Sequence, residues 1–171
     1  MRVVFVLCLM LISTGCHAND IMQGHWESSR PSAGRKADGH FGANMVLTAS
    51  ESQVRRDWVK YKANPRIPLV KNVSKGTPVS ALVVFHGCTP DRAGYCQVEA
   101  QYALRTPTGD TKQLGRSVIW NGLPGRYGQL QLGYPSLSVM PSIAGPYVVQ
   151  ARLVDKVSRK ELNLSQTLYA H

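Results

Sequence analysis

Hydrophobic positions along the chain follow two different periods, and the change between them falls near Pro68. Before it, Val54, Trp58 and Tyr61 recur at i, i+4 and i+7, the spacing that puts side chains on one face of a helix. Ser50 and Gln53 have the spacing of a capping box at its start. Asn64-Pro65 stops it, because the residue before proline is pushed out of the helical region. The opposite face carries Arg55, Arg56 and Lys60. Trp58 has two readings, a core-facing anchor or an exposed binding residue.

After Pro68 the period becomes two, the signature of strands. Val79 to Phe85 is apolar at every position but Ser80 and predicts a central strand covered on both faces. Cys96, Val98, Ala100, Tyr102 and Leu104 alternate with Gln97, Glu99, Gln101 and Arg105, which predicts one buried and one wet face. Pro107-Thr108-Gly109-Asp110 turns the chain into a strand that reaches Ile119-Trp120. Leu130, Leu132 and Tyr134 share one parity, Leu137 and Val139 the other, and Pro135 lies between them. A parity switch at proline predicts a β-bulge or a strand that leaves one sheet for another. Tyr147, Val149, Ala151 and Leu153 form the next strand, and a turn over Lys156–Lys160 leads to a last one with Leu162, Leu164 and Leu168 inward.

Six or seven closely spaced strands joined by Gly/Pro turns, with no helix between them, predict a mainly β fold, an immunoglobulin-like β-sandwich with a short N-terminal helix. The segment 66–171 is assigned to the sandwich and 45–65 to a helical extension. Residues 19–44 are polar and glycine-rich around Ser28–Lys36 and read as a flexible tether, with Met22, Trp26 and Phe41 as its anchors. Residues 1–18 read as a signal peptide: Arg2, an apolar run from Val3 to Ile12, then small residues. That run is about half of the ~20 apolar residues a spanning helix needs. Cleavage after Cys16-His17-Ala18 would release a soluble periplasmic protein, whereas Ser13-Thr14-Gly15-Cys16 has the form of a lipoprotein box and would leave an outer-membrane lipoprotein anchored through Cys16.

Charge narrows the partner rather than the fold. The chain carries a net charge of +10, and removing the leader takes away only Arg2. Such a field favours acidic partners: an acidic protein, an anionic envelope surface or a polyanion. Of the cysteines, Cys8 and Cys16 lie in the leader, and Cys88 and Cys96 remain for the folded protein. A close pair in an exported chain predicts a disulfide, worth about 2.5 kcal/mol for so short a loop. The competing metal site with His86 has too few ligands.

Catalytic constellations are missing from the sequence. There is no G-x-S-x-G elbow, P-loop or dinucleotide fingerprint, so no cofactor is expected. The acids Asp57, Asp91, Glu99, Asp110 and Asp155 are dispersed rather than paired, and Asp91 reads as a turn former. His86, at a strand end beside the cysteines, reads as a polar strand-end residue rather than a base for Cys88. Tyr95, Tyr127 and Tyr134 are interleaved with Arg92 and Arg126. No RNA-binding signature accompanies them and the compartment offers little nucleic acid, so nucleic acid is not an expected partner.

The stretches Ala81–Cys88, Asp91–Cys96, Trp120–Pro124 and Gly145–Ala151 resemble a family of small exported proteobacterial proteins, over most of the chain from Asp57 onward. The resemblance implies an immunoglobulin-like sandwich with one short-loop disulfide and no catalytic residues. A non-enzymatic binding protein follows as the expectation. Arg92, Tyr95, Arg126 and Tyr127 in loops, with Arg55, Arg56 and Trp58 on the helix, are the candidate partner-binding residues, because Tyr, Trp and Arg dominate interface hot spots. The most specific reading is an immunity-type protein that neutralises a toxin, a lipase or other effector, delivered to the periplasm. The alternatives are an accessory to assembly of a secretion machine or pilus through edge-strand pairing, and a module for anionic lipid or polysaccharide.

Overall fold

The computed structural model describes residues 32–61, 67–126 and 129–171. The expected leader, Met22, Trp26, the Tyr61 side chain and Tyr127 lie outside the described residues. Among those described, the elements follow in the order β1 (Arg35–Asp38), β2 (Phe41–Thr48), α1 (Glu51–Tyr61), β3 (Asn72–Val73), β4 (Val79–His86), β5 (Cys96–Arg105), β6 (Thr111–Gly122), β7 (Gln131–Leu132), β8 (Leu137–Val139), β9 (Gly145–Asp155) and β10 (Glu161–Ala170).

The strands form two facing sheets. One has the order β1-β2-β4-β7, with β8 also on β4, and the other the order β3-β10-β9-β5-β6. All pairings are antiparallel except the short parallel contact of β3 with β10. This is a mainly β, immunoglobulin-like sandwich. A tyrosine corner supports that arrangement: the Tyr147 hydroxyl, at the start of β9, accepts from the Ser142 and Ile143 backbone N–H groups and donates to the Ile143 carbonyl. Phe41, Met45, Val83, Phe85, Val98, Leu153 and Leu168 meet between the sheets.

The expected tether needs correction, because it reaches too far. Residues 35–38 are a strand, and Phe41 to Thr48 form a strand buried at every position. Phe41, Ala43, Met45 and Leu47 face the sandwich core. Val46, on the other parity, packs with Val54 of the helix and Leu82 of β4. Small side chains at Gly42 and Ala43 make this stretch look like linker, yet in a strand covered on both sides they fill narrow space. The helix is accordingly not an addition before the sandwich. It lies between β2 and β3 in the chain and covers the outer face of the first sheet, so the sandwich begins ahead of residue 45 rather than at 66.

The helix also turns differently from its predicted face. Glu51, Val54, Arg55 and Trp58 are its buried and half-buried positions, at i, i+3, i+4 and i+7, so Arg55 lies on the packed side rather than opposite it. The capping box is replaced by local bonds. Ser50 N–H donates to Thr48 Oγ1 (3.1 Å), while the Gln53 amide is bonded to Asp57 and Arg56 within the helix. The parity switch at Pro135 has a clear cause. Leu132 and Leu137 both sit on β4, but between them Gly133 N–H bonds Val83 O and Tyr134 N–H bonds Ile119 O, so the chain swings across to β6 and returns.

Candidate functional site

Register places four connections at one end of the sandwich: the β1–β2 turn, the 87–95 loop, the 123–130 loop and the β9–β10 turn. Gly42 pairs with His86, Phe85 with Gln131, Cys96 with Gly122 and Val98 with Asp155. His86 closes β4 as a half-buried residue, the strand-end position expected of it. Gly87 then needs its freedom: its φ is +68° and a Cβ there would come within 1.8 Å of the His40 carbonyl oxygen.

The predicted crosslink is present, with Cys88 and Cys96 joined across a Cα separation of 5.9 Å. Inside its loop Asp91 is the turn former that the sequence implies. Its carboxylate accepts from the N–H groups of Ala93 (2.8 Å) and Tyr95 (3.0 Å). This arrangement leaves Arg92 exposed and Tyr95 half exposed.

The loop is tied to its neighbour by Asp155, which is fully buried. Its carboxylate accepts from Thr89 N–H (2.8 Å), Ser158 Oγ–H (2.8 Å) and Val157 N–H (3.0 Å). Burial alone would raise its pKa, but the Thr89, Ser158 and Val157 donors outweigh that and hold it below 3.8.

A bulge shapes the other half of the site. Val98 pairs with Trp120 and Glu99 with Val118, so Ile119 is an extra residue in β6 and both Ile119 and Trp120 turn toward the interior. The Trp120 ring stands edge-on to Phe85, with centroids 5.8 Å apart. Its Nε1–H donates to Leu123 O (3.3 Å), which also accepts from the Gln131 side-chain amide (3.1 Å). The Leu123 side chain is left 64% exposed.

Between Trp58 of the helix and Trp120 of β6 runs an open cleft of about 300 Å³, walled by Pro124, Gly125 and Gln129–Leu132. Arg126 follows that wall and is exposed, its backbone held in a turn with Gln129. Trp58 is therefore half-buried in a cleft, which merges its two readings.

The remaining helix candidates separate. Arg56 is exposed, its guanidinium donating to Gln53 Oε1 (2.7 Å) along the helix surface. Arg55 is used by the fold: it pairs with Glu51 (2.6 Å) and lies 4.7 Å above the Tyr134 ring. Glu51 also accepts from Ser136 Oγ–H (2.6 Å). Burial raises the Glu51 pKa less than Ser136, Ser80 and Arg55 lower it, so it stays ionised. Arg55 is thus a brace between the helix and the crossing segment. Sequence reasoning does not single out Trp120, Leu123 and Gln131 as site residues; only the alternation through Ile119-Trp120 hints at them.

Among the described residues no cluster of three His, Cys, Asp or Glu side chains is placed to hold a metal ion, and no helix is long and apolar enough to cross a membrane. No protein-family profile matches the chain, and no curated protein matches it. Solved structures resemble it distantly. A single-residue variant of the superoxide reductase (neelaredoxin) from Ignicoccus hospitalis is 13% identical with a TM-score of 0.40, covering 71% of this chain and 88% of that one. The alkylpurine DNA glycosylase AlkC of Pseudomonas fluorescens is 12% identical with a TM-score of 0.38, over 59% of this chain and 28% of that one. The PmoD soluble domain from Methylocystis sp. ATCC 49242 (Rockwell) is 9% identical with a TM-score of 0.34, over 80% and 96%. Likeness at this level carries no argument about activity.

Proposed function

We propose that the protein is a non-enzymatic binding protein of the periplasm that engages an acidic protein partner through the loop end of its sandwich. In its most specific form the reading is immunity: the loop end covers a toxin, a lipase or other effector, delivered to that compartment. The observation that carries it is the Trp58–Trp120 cleft beside the exposed Leu123, since an apolar recess flanked by aromatic and arginine side chains is the form of an interface hot spot. Charge supports an acidic partner. Arg92, Arg126, Lys156 and Arg159 are exposed at this end against Asp38 and Asp91, while Glu99 and Glu161 are already paired with Arg116 and Arg152. The buried disulfide suits an oxidising compartment. Assembly through strand pairing is less favoured. The edge strand β6 carries Lys112, Arg116 and two register shifts against β5, features that blunt an edge.

Capture from periplasmic extract on immobilised mature protein tests the reading. Wild type retains a partner, the double variant Trp58→Ala/Leu123→Asp loses it, and Tyr169→Asp, on an exposed residue toward the opposite end, retains it. Equal capture by wild type and the double variant would place binding elsewhere.

A further inference from the structure

We propose that the Trp58–Trp120 cleft seats a single tyrosine side chain from an acidic segment of the partner, its phenol hydroxyl donating to Gln131 Oε1. The inference deepens the binding function above and rests on it for the existence of a protein partner. Gln131 is only 6% exposed and lines the cleft. Its amide nitrogen faces Leu123 O at 3.1 Å, which turns Oε1 the other way. Among the described residues the polar neighbour of that oxygen is Cys88 Sγ at 3.7 Å, and a disulfide sulfur has no proton to give. A buried amide oxygen lacking a donor is unfavourable, so the wall of the cleft calls for an N–H or O–H from outside.

The rest of the cleft sets the shape of that donor. Its volume of about 300 Å³ has room for one ring-sized group. The indoles of Trp58 and Trp120 offer flat apolar surface, and the Trp120 donor is already committed to Leu123 O. A tyrosine side chain combines an apolar ring with a donor at its tip. Arg126, exposed and next to Gly125 of the wall, favours acidic residues beside that tyrosine.

Side-chain analogues test this without the partner. Isotope-labelled mature protein is titrated with p-cresol, toluene and methyl glucoside, and the indole N–H signals of Trp58 and Trp120 and the Gln131 amide are followed. Wild type binds p-cresol roughly five- to tenfold more tightly than toluene, the value of one hydrogen bond. Gln131→Met, similar in length but without the acceptor, binds the two alike, and Trp58→Ala weakens both together while keeping the preference. Equal affinity of wild type for p-cresol and toluene, a preference that survives Gln131→Met, tighter binding of methyl glucoside, or no binding of any probe overturns the proposal. So does tighter p-cresol binding by Tyr127→Ala, which would make the chain's own tyrosine the occupant. Failure here leaves the capture experiment unaffected, and failed capture leaves the cleft's preference for a phenol measurable.

Discussion

Asp155 is the residue on which the loop end depends most. Its carboxylate satisfies the N–H groups of Thr89 and Val157 from two different connections, and truncation would leave both donors buried and unpaired. Asp155→Ala is expected to cost about 2–4 kcal/mol in denaturant unfolding. Its pKa is lower in the folded chain than the ordinary 3.8. The ionised form is therefore favoured by folding, and its stabilisation is complete above pH 3.8 and disappears as pH falls through the lower, folded-state value. Asp155→Asn should unfold with a shallower dependence on pH in that acid range. Tyr102 works in the alkaline direction. Burial pushes its hydroxyl from 10.0 up to about 12, only partly opposed by Arg55, so its share of stability is present below the unfolded value and is lost as pH rises through the folded one. Gly87→Ala adds a methyl group against the His40 carbonyl at a left-handed backbone position. A loss of more than about 3 kcal/mol is expected, read as a fall in the urea midpoint.

At the scale of elements, the helix and β2 depend on each other. Val54 is fully buried against Val46 and Leu82, whereas Trp58 keeps one face toward the cleft. Val54→Ala should cost about 2 kcal/mol. Trp58→Ala should cost about 1–2 kcal/mol, less than the roughly 3–5 kcal/mol of a fully buried aromatic, and should act mainly on binding. A Trp58→Ala variant that unfolds like a core mutant would return the residue to the interior. The strands of the second sheet were legible because their alternation was plain: Val98, Ala100 and Tyr102, then Val149, Ala151 and Leu153, are buried as their parity implies. Leu104 is the exception. A register shift between Tyr102 and Ala103 brings Ala103 inward and leaves Leu104 half-buried. β2 was hidden for the opposite reason, since both of its faces are covered and small residues interrupt its apolar run.

For the molecule as a whole, the loop end gathers exposed cations around an apolar cleft. Arg92→Glu and Arg126→Glu are expected to slow association with the captured partner by roughly three- to tenfold each, without changing the unfolding midpoint, because exposed rim charges act on encounter. Raising ionic strength should slow wild-type association in the same sense. Tyr95→Ala should act on dissociation instead, as loss of a contact anchor does. Stopped-flow or surface-based rates at two salt concentrations separate these effects. Unchanged rates in all three variants would move the interface to the helix surface around Arg56 or to a sheet edge.

The sequence by itself determined the mainly β class, the pairing of Cys88 with Cys96, the turn at Asp91 and the inward parity of β5, β9 and β10. Each of these depends on neighbours within about ten residues, where period and chemistry act locally. Tertiary structure alone decided that Phe41–Thr48 is core, that Arg55 is an internal brace, and that Trp58 and Trp120 share one cleft. β2 becomes a strand only with the helix on one side and the second sheet on the other. Arg55 is occupied only because the chain crosses at Tyr134 and Ser136. Trp120 turns inward only because β6 carries one residue more than β5 at that point. Such outcomes depend on contacts between segments far apart in the chain, and no local period encodes them.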